Sequence, residues 1–234
     1  MPQLFPKGYN TVLRVLIIAL PLGGAVTGIA LSAFYRSDYT TGTREVVEQP
    51  IPFSHKHHNA QLGIDCRYCH TSVESSAVAG IPPTKTCMNC HQAMWTGSEA
   101  LQPVRTSWET NTPIVWNKVH NVPQYTYFNH SIHISKGVGC YSCHGEIDNM
   151  NLIHQSKTLL MEWCIDCHRA PEKHLRPRSE VFNMQWAARD GAVDIDGEKF
   201  PANMMSQNEL GRKLKEKYLV RDHNTLTNCS MCHR

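Results

Sequence analysis

Cys66-Arg-Tyr-Cys69-His70, Cys87-Met-Asn-Cys90-His91, Cys140-Tyr-Ser-Cys143-His144, Cys164-Ile-Asp-Cys167-His168 and Cys229-Ser-Met-Cys232-His233 are five copies of one pattern, Cys-x-x-Cys-His. Together they use all ten cysteines of the chain, so none is left for a disulfide. Cys-x-x-Cys-His is the attachment signature of c-type haem. Its two thiols add across the haem vinyl groups, and the adjoining imidazole becomes the proximal iron ligand. At this composition chance would supply about 0.03 such motifs, so five are a signal. Paired Cys with His also suits tetrahedral zinc, but zinc sites rarely repeat one five-residue unit with His always next to the second Cys. The pattern implies five covalently bound haem c groups, with His70, His91, His144, His168 and His233 as the proximal axial ligands.

The rest of the composition agrees. In a chain of 234 residues, Val, Ile, Leu and Phe are sparse outside the N-terminus. Large flat apolar haems can replace the missing core, because short segments wrap around them. The expected fold is a multihaem cytochrome c: low regular secondary structure, short helices and loops around five haems, plus one N-terminal transmembrane helix. A net charge of +3 gives no indication of nucleic-acid binding. Thioether attachment is performed outside the cytoplasm, which places residues from about 50 onward on that side.

Val15 to Tyr35 contains no charged residue. That length crosses a hydrocarbon core of roughly 30 Å as one helix. Pro21 and the glycines at 8, 23, 24 and 28 weaken a soluble helix, but membrane helices tolerate them. Lys7 and Arg14 precede the span, so the positive-inside rule puts residues 1–14 in the cytoplasm. Residues 36–52 then form a linker to a haem domain at 53–234 on the periplasmic side of the inner membrane. A cleaved signal peptide is the competing reading. The long apolar run and the lack of a clean Ala-x-Ala site favour a retained, single-pass anchor. Gly24-x-x-x-Gly28 offers a face for close helix packing, although such pairs are common in membrane helices. The span holds no His that could ligate a haem b within the membrane.

Two segments share one plan, 53–91 and 128–168. Phe53-Ser-His55-Lys-His57-His58 leads motifs at 66 and 87, and Phe128-Asn-His130-Ser-Ile-His133 leads motifs at 140 and 164. The simplest description is a duplicated two-haem unit followed by a fifth haem at 223–234. On a helix, His at i and i+3 lie on one side but diverge by about 60°, so one turn can reach two irons. The predicted distal ligands are therefore His55, His58, His130 and His133, with His120, just ahead of the turn at Pro123, as the fifth. His57 is expected to face solvent. His154, His174 and His223 are reserves, as is Met161; a Met ligand would raise the potential of its haem.

Ser206-x-x-Glu209 is a capping box ahead of a helix over about 207–219, with Arg212, Lys213, Lys215 and Lys217 on its outer face. That face is either solvated or a dock for an acidic partner. Asp190 to Gly197 reads as a surface loop. The five tryptophans are expected to pack on haem edges or interfaces, and Met204 and Met205 to serve packing.

FSHKHHNAQLGIDCRYCHTSVE, GIPPTKTCMNCH, VHNVPQYTYFNHSIH and MEWCIDCHRAPEKHLRP resemble the pentahaem subunit of alternative complex III, a bacterial quinol:electron acceptor oxidoreductase. The resemblance covers the anchor and all five motifs. It implies a mainly bis-His haem wire. The implied partners are an iron–sulfur, molybdopterin-oxidoreductase-like subunit, quinol-binding membrane subunits, and another cytochrome c subunit or periplasmic acceptor. It also supports His55, His58, His120, His130 and His133 over the reserves. Each Phe-x-His-x-x-His is similar to that of small tetrahaem cytochromes c3, which implies that His55 faces the haem of His70 and His130 that of His144. The other pairings stay open.

The expected function is electron transfer from a membrane quinol-oxidising complex to a periplasmic acceptor or oxidase. The chain would be a carrier subunit with no catalytic residue of its own. A second reading is an anchored multihaem quinol dehydrogenase of the nitrate/nitrite-reductase type, with its own quinol site near Asp38 or Glu45. A third, a multihaem reductase with one open iron, is disfavoured by the surplus of His and the absence of any Cys-x-x-Cys-Lys variant.

Overall fold

The computed structural model describes residues 5–186, 192–195, 197–201 and 206–233. Two units divide between Thr43 and Arg44. The first is helix α1, Tyr9–Arg36, followed by one turn, α2, Asp38–Thr41. α1 starts ahead of the apolar run and continues unbroken through Pro21. Its 28 residues extend about 42 Å at 1.5 Å per residue, more than one hydrocarbon core. Its apolar side chains are exposed all round, the pattern of a helix solvated by lipid. Ser37 ends it, donating its N–H at 3.0 Å and its hydroxyl at 2.6 Å to the Phe34 carbonyl.

The second unit, Arg44–Arg234, is built from short pieces. They are α3 (Cys66–Cys69), α4 (Thr84–His91), α5 (Gln102–Thr110), α6 (His130–Ser135), α7 (Cys140–His144), α8 (Met161–Arg169), α9 (Gln207–Lys217) and α10 (His223–Leu226). A π-helical turn at Lys56–Gln61 and several 3-10 turns complete the helical part. Every Cys-x-x-Cys-His falls on such a turn; the fifth uses a 3-10 turn at Cys229–Met231. The helical spacing is the reason: Cys at i and i+3 then project to one side, toward the same ligand. Local caps start these turns. The Asp65 carboxylate accepts from Arg67 N–H at 2.8 Å, and the Asn228 side chain from Ser230 N–H at 3.0 Å.

Among the described residues, only ten hydrophobic side chains are buried, too few to hold together so large a unit. Half of them form one cluster, Leu175, Ile195, Leu210, Leu214 and Tyr218, edged by Val138, Trp186 and Val220. α9 brings Leu210 and Leu214 to it, one turn apart, and Tyr218 caps its C-terminus. Its first turn carries the expected capping box between Ser206 and Glu209. Of the four cations on its outer face, Lys217 donates to the Ile195 carbonyl at 2.5 Å and Lys215 lies 3.8 Å from Glu172. The face is thus partly occupied by the protein itself.

The stretch expected to be a surface loop contains a strand. β1 (Ala192–Ile195) pairs antiparallel with β2 (Glu198–Pro201), Ala192 opposite Pro201 and Ile195 opposite Glu198. Gly197, between the two strands, has φ +90°, which glycine adopts without strain. Val193 and Ile195 alternate with polar neighbours, which is the strand signal that the loop reading passed over. Asp190, Gly191, Asp196, Met204 and Met205 lie outside the described residues.

Candidate metal centres

Histidine pairs recur through the second unit. His58 and His91 have ring centres 6.2 Å apart, His130 and His144 6.4 Å, and His133 and His168 6.2 Å. Two imidazoles bound through nitrogen to opposite sides of one metal, with bonds of about 2.0 Å, hold their ring centres roughly 6.3 Å apart. The three pairs have that spacing. In each pair a motif histidine faces one from a Phe-x-His-x-x-His segment.

The two lead segments present the same ring geometry. Phe53 meets His55 edge-on at 4.9 Å and stacks on His58 at 4.4 Å. Phe128 meets His130 edge-on at 4.7 Å and stacks on His133 at 4.6 Å. The phenyl ring thus buttresses both imidazoles and fixes their divergence.

A ligand histidine also needs its tautomer set, normally by a carbonyl that holds the other ring proton. Seven of these rings have such a partner. Nδ1–H donates to the carbonyl of Gly80 from His70 (2.6 Å), of Met94 from His91 (3.4 Å), of Leu226 from His168 (3.0 Å) and of Tyr125 from His233 (2.9 Å). The same bond runs from His58 to Ser54 (2.8 Å), from His130 to Ala77 (2.9 Å) and from His133 to Asn129 (2.7 Å). A carbonyl only accepts, so Nδ1 must keep its proton and Nε2 is left with a free lone pair. That is the form that binds a metal.

His144 differs. Its Nδ1 lies 3.3 Å from Nε2 of His120, with ring centres 4.3 Å apart. The two rings are too close to occupy opposite sides of one metal, so His120 is not the axial partner of His144. Nδ1 of His55 is buried and has no hydrogen-bond partner. Burial, then His70, pushes the pKa of His55 down from 6.5 to about 4. Burial, then His154, takes His120 to about 4. Burial, then His120, takes His144 to about 3.

The remaining candidates stand elsewhere. His57 stacks on Trp95 at 5.5 Å and meets Gln61 at 2.9 Å. His154 sits in a β-bridge with Val46, His174 is half-buried, and His223 opens α10 and is exposed. Met161 is 66% exposed at the start of α8. Trp186 packs on the Leu175 cluster with Arg176 over its ring at 5.2 Å, whereas Trp95 and Trp108 are largely exposed.

No protein-family model matches the chain. A curated relative does: the multihaem cytochrome c subunit of a menaquinone reductase from Nitratidesulfovibrio vulgaris Hildenborough. It is 30% identical over 151 residues, which span 55% of this chain and 70% of the relative. This chain belongs to the multihaem cytochromes c.

A multihaem cytochrome explains the buried thiols. Burial pushes Cys143 up to about 12, and Cys140 and Cys167 to about 11. A thiolate there would be costly, but a thioether has no proton to lose, so apolar surroundings suit it. The donor set therefore fits haem c: paired thiols on one side of a turn, then an imidazole with Nε2 free. The sequence reading missed the carbonyl partners of Nδ1. A backbone carbonyl belongs to every residue, so no side-chain signal could have marked Gly80, Ala77 or Leu226.

Acid should destabilise this multihaem cytochrome with a definite sign. His55, His120 and His144 are held neutral in the folded state, whereas in the unfolded chain they titrate near 6.5. Their contribution is intact above about pH 6.5 and is lost as pH falls toward about 4, then about 3, because the unfolded state gains protons that the folded state refuses. Iron ligation has the same sign, since metal and proton compete for one nitrogen. Denaturation midpoints measured at a series of pH values should be flat above about 6.5 and decline below it.

Proposed function

We propose that the chain is a membrane-anchored electron-transfer subunit carrying five haem c groups, of the kind found in alternative complex III. It would relay single electrons from a quinol-oxidising membrane assembly, through an iron–sulfur partner, to an extracytoplasmic acceptor or oxidase. The observation that carries this reading is the set of three imidazole pairs at 6.2–6.4 Å. Bis-His ligation closes both axial positions of an iron, which suits electron transfer rather than substrate binding.

In this reading Cys66, Cys69, Cys87, Cys90, Cys140, Cys143, Cys164, Cys167, Cys229 and Cys232 hold the haems, and His70, His91, His144, His168 and His233 are proximal. His58, His130 and His133 are distal to His91, His144 and His168, and His55 serves His70. The protein sets each potential through ligand choice, burial and spacing, while the haem supplies the redox chemistry. The relative's place in a menaquinone reductase supports a quinone-linked assembly with further membrane subunits. α1 is long and apolar enough to cross a membrane. With Lys7 and Arg14 at its start, it would leave the haem domain on the periplasmic side.

Low-temperature EPR with near-infrared magnetic circular dichroism on the oxidised full-length protein tests the reading. Low-spin signals from the four haems given a distal histidine here, those of His70, His91, His144 and His168, are the expected result. A high-spin signal from any of these four would mean an open iron and a substrate site, and the carrier function would be abandoned.

A further inference from the structure

We infer that the five haem-attachment motifs stand in space in the order second, first, third, fourth, fifth. The second (Cys87, Cys90, His91) and the fifth (Cys229, Cys232, His233) are then the two ends of the electron path. The inference rests on the electron-transfer reading for its meaning, but on hydrogen bonds and ring contacts for its order.

The second and first motifs are joined twice. Tyr68, inside the first, accepts at its hydroxyl from the Asn89 amide, inside the second, at 2.9 Å. The turn that carries His58, which faces His91, also leads straight into the first motif, with Ile64 N–H donating to the His58 carbonyl at 3.1 Å. The first and third motifs share the strip 76–80. Gly80 holds Nδ1–H of His70, while Ala77 accepts both Nδ1–H (2.9 Å) and backbone N–H (3.1 Å) of His130, whose ring faces His144. Ser131 N–H adds a bond to Ser76 at 3.1 Å.

The third and fourth motifs are joined by α6, one helix bearing His130 toward His144 and His133 toward His168. The fourth and fifth meet at two places. His168 donates to Leu226, which ends the helix just ahead of Cys229. Tyr127 N–H donates to Cys232 at 2.8 Å, beside the Phe128 ring that stacks on His133.

Accessibility marks the same ends. Among the ten cysteines, Cys90 and Cys229 are the exposed ones, and they belong to the second and fifth motifs. Met94 and Trp95, directly after the second motif, are exposed as well. The chain thus enters its electron path one haem from an end, attaches the first haem inside the row, and turns back. A donor and an acceptor would dock over the second and fifth motifs, not over the inner three.

Iron positions in the haem-loaded full-length protein, read from a cryo-electron microscopy map, test the order without any substitution. The expected result is that the first-motif iron has the second- and third-motif irons as its two nearest neighbours, and that the second and fifth irons each have a single near neighbour. A second-motif iron closer than the first-motif iron to the third would overturn the inference. Reduction by a quinol analogue in membranes is scored separately. If the order is found but quinol never reduces the haems, the order stands and the proposed function falls.

Discussion

His130→Ala converts the third-motif haem to the high-spin state, whereas His120→Ala leaves that haem low-spin. That contrast is the largest spectroscopic effect expected for this protein, and it separates two histidines that the sequence treats alike. His130 lies 6.4 Å from His144, ring centre to ring centre, with an interplanar angle of 11°. In the proposed ligation, removing it would open the sixth position of the iron held at the third motif. His120 lies behind His144, where its Nε2 is placed to accept the Nδ1 proton at 3.3 Å. Its loss removes a positioning partner. Outer-shell partners of metal ligands typically matter by about 10–100-fold in affinity or activity. In a covalently held haem that loss appears as a shift of one midpoint potential. EPR and a potentiometric titration on the two variants distinguish the roles. A new high-spin signal in His120→Ala would make His120 an iron ligand instead.

The second large effect is on stability. Gly211→Ala should lower it by about 3 kcal/mol or more, at the upper end of overpacking costs. A Cβ at Gly211 would run into the Glu172 carbonyl. That atom is backbone, held in the turn Pro171–Lys173 directly after α8, so it cannot swing aside as a side chain could. α9 would have to lift, and Leu210 and Leu214, both nearly fully buried, would lose their packing with it. The displaced turn follows His168 by only a few residues, so the fourth-motif haem should loosen along with α9. Thermal unfolding followed by haem absorbance should show an earlier transition in Gly211→Ala than in the parent. Arg212→Ala on the exposed side of the same helix should leave it unchanged.

Much of the site is legible in the chain because it is local. Attachment needs two thiols and an imidazole within five residues, and helical spacing turns that pattern into a shared direction. The lead His pairs are local too: Phe53 and Phe128 arrange their neighbouring imidazoles in the same way. The small core was foreshadowed by composition, and α9 by its capping box and apolar spacing. The hairpin at 192–201 was also legible, in Asp196-Gly197 between alternating residues, but the density of Gly and Asp masked it.

The chain by itself determined where haem can be attached, which imidazole adjoins each attachment, and which segment is apolar enough to span a membrane. Only the tertiary structure decided which lead-segment imidazole stands across from which motif imidazole, that His120 lies 4.3 Å from His144, and which contacts join the motifs in the order proposed above. The physical reason is the range of the interactions. Carbonyls that fix the ligand tautomers lie between 3 and 108 residues away along the chain, as for His91 and His233. A backbone carbonyl is the same in every residue, so its choice is made by packing and leaves no mark in the sequence.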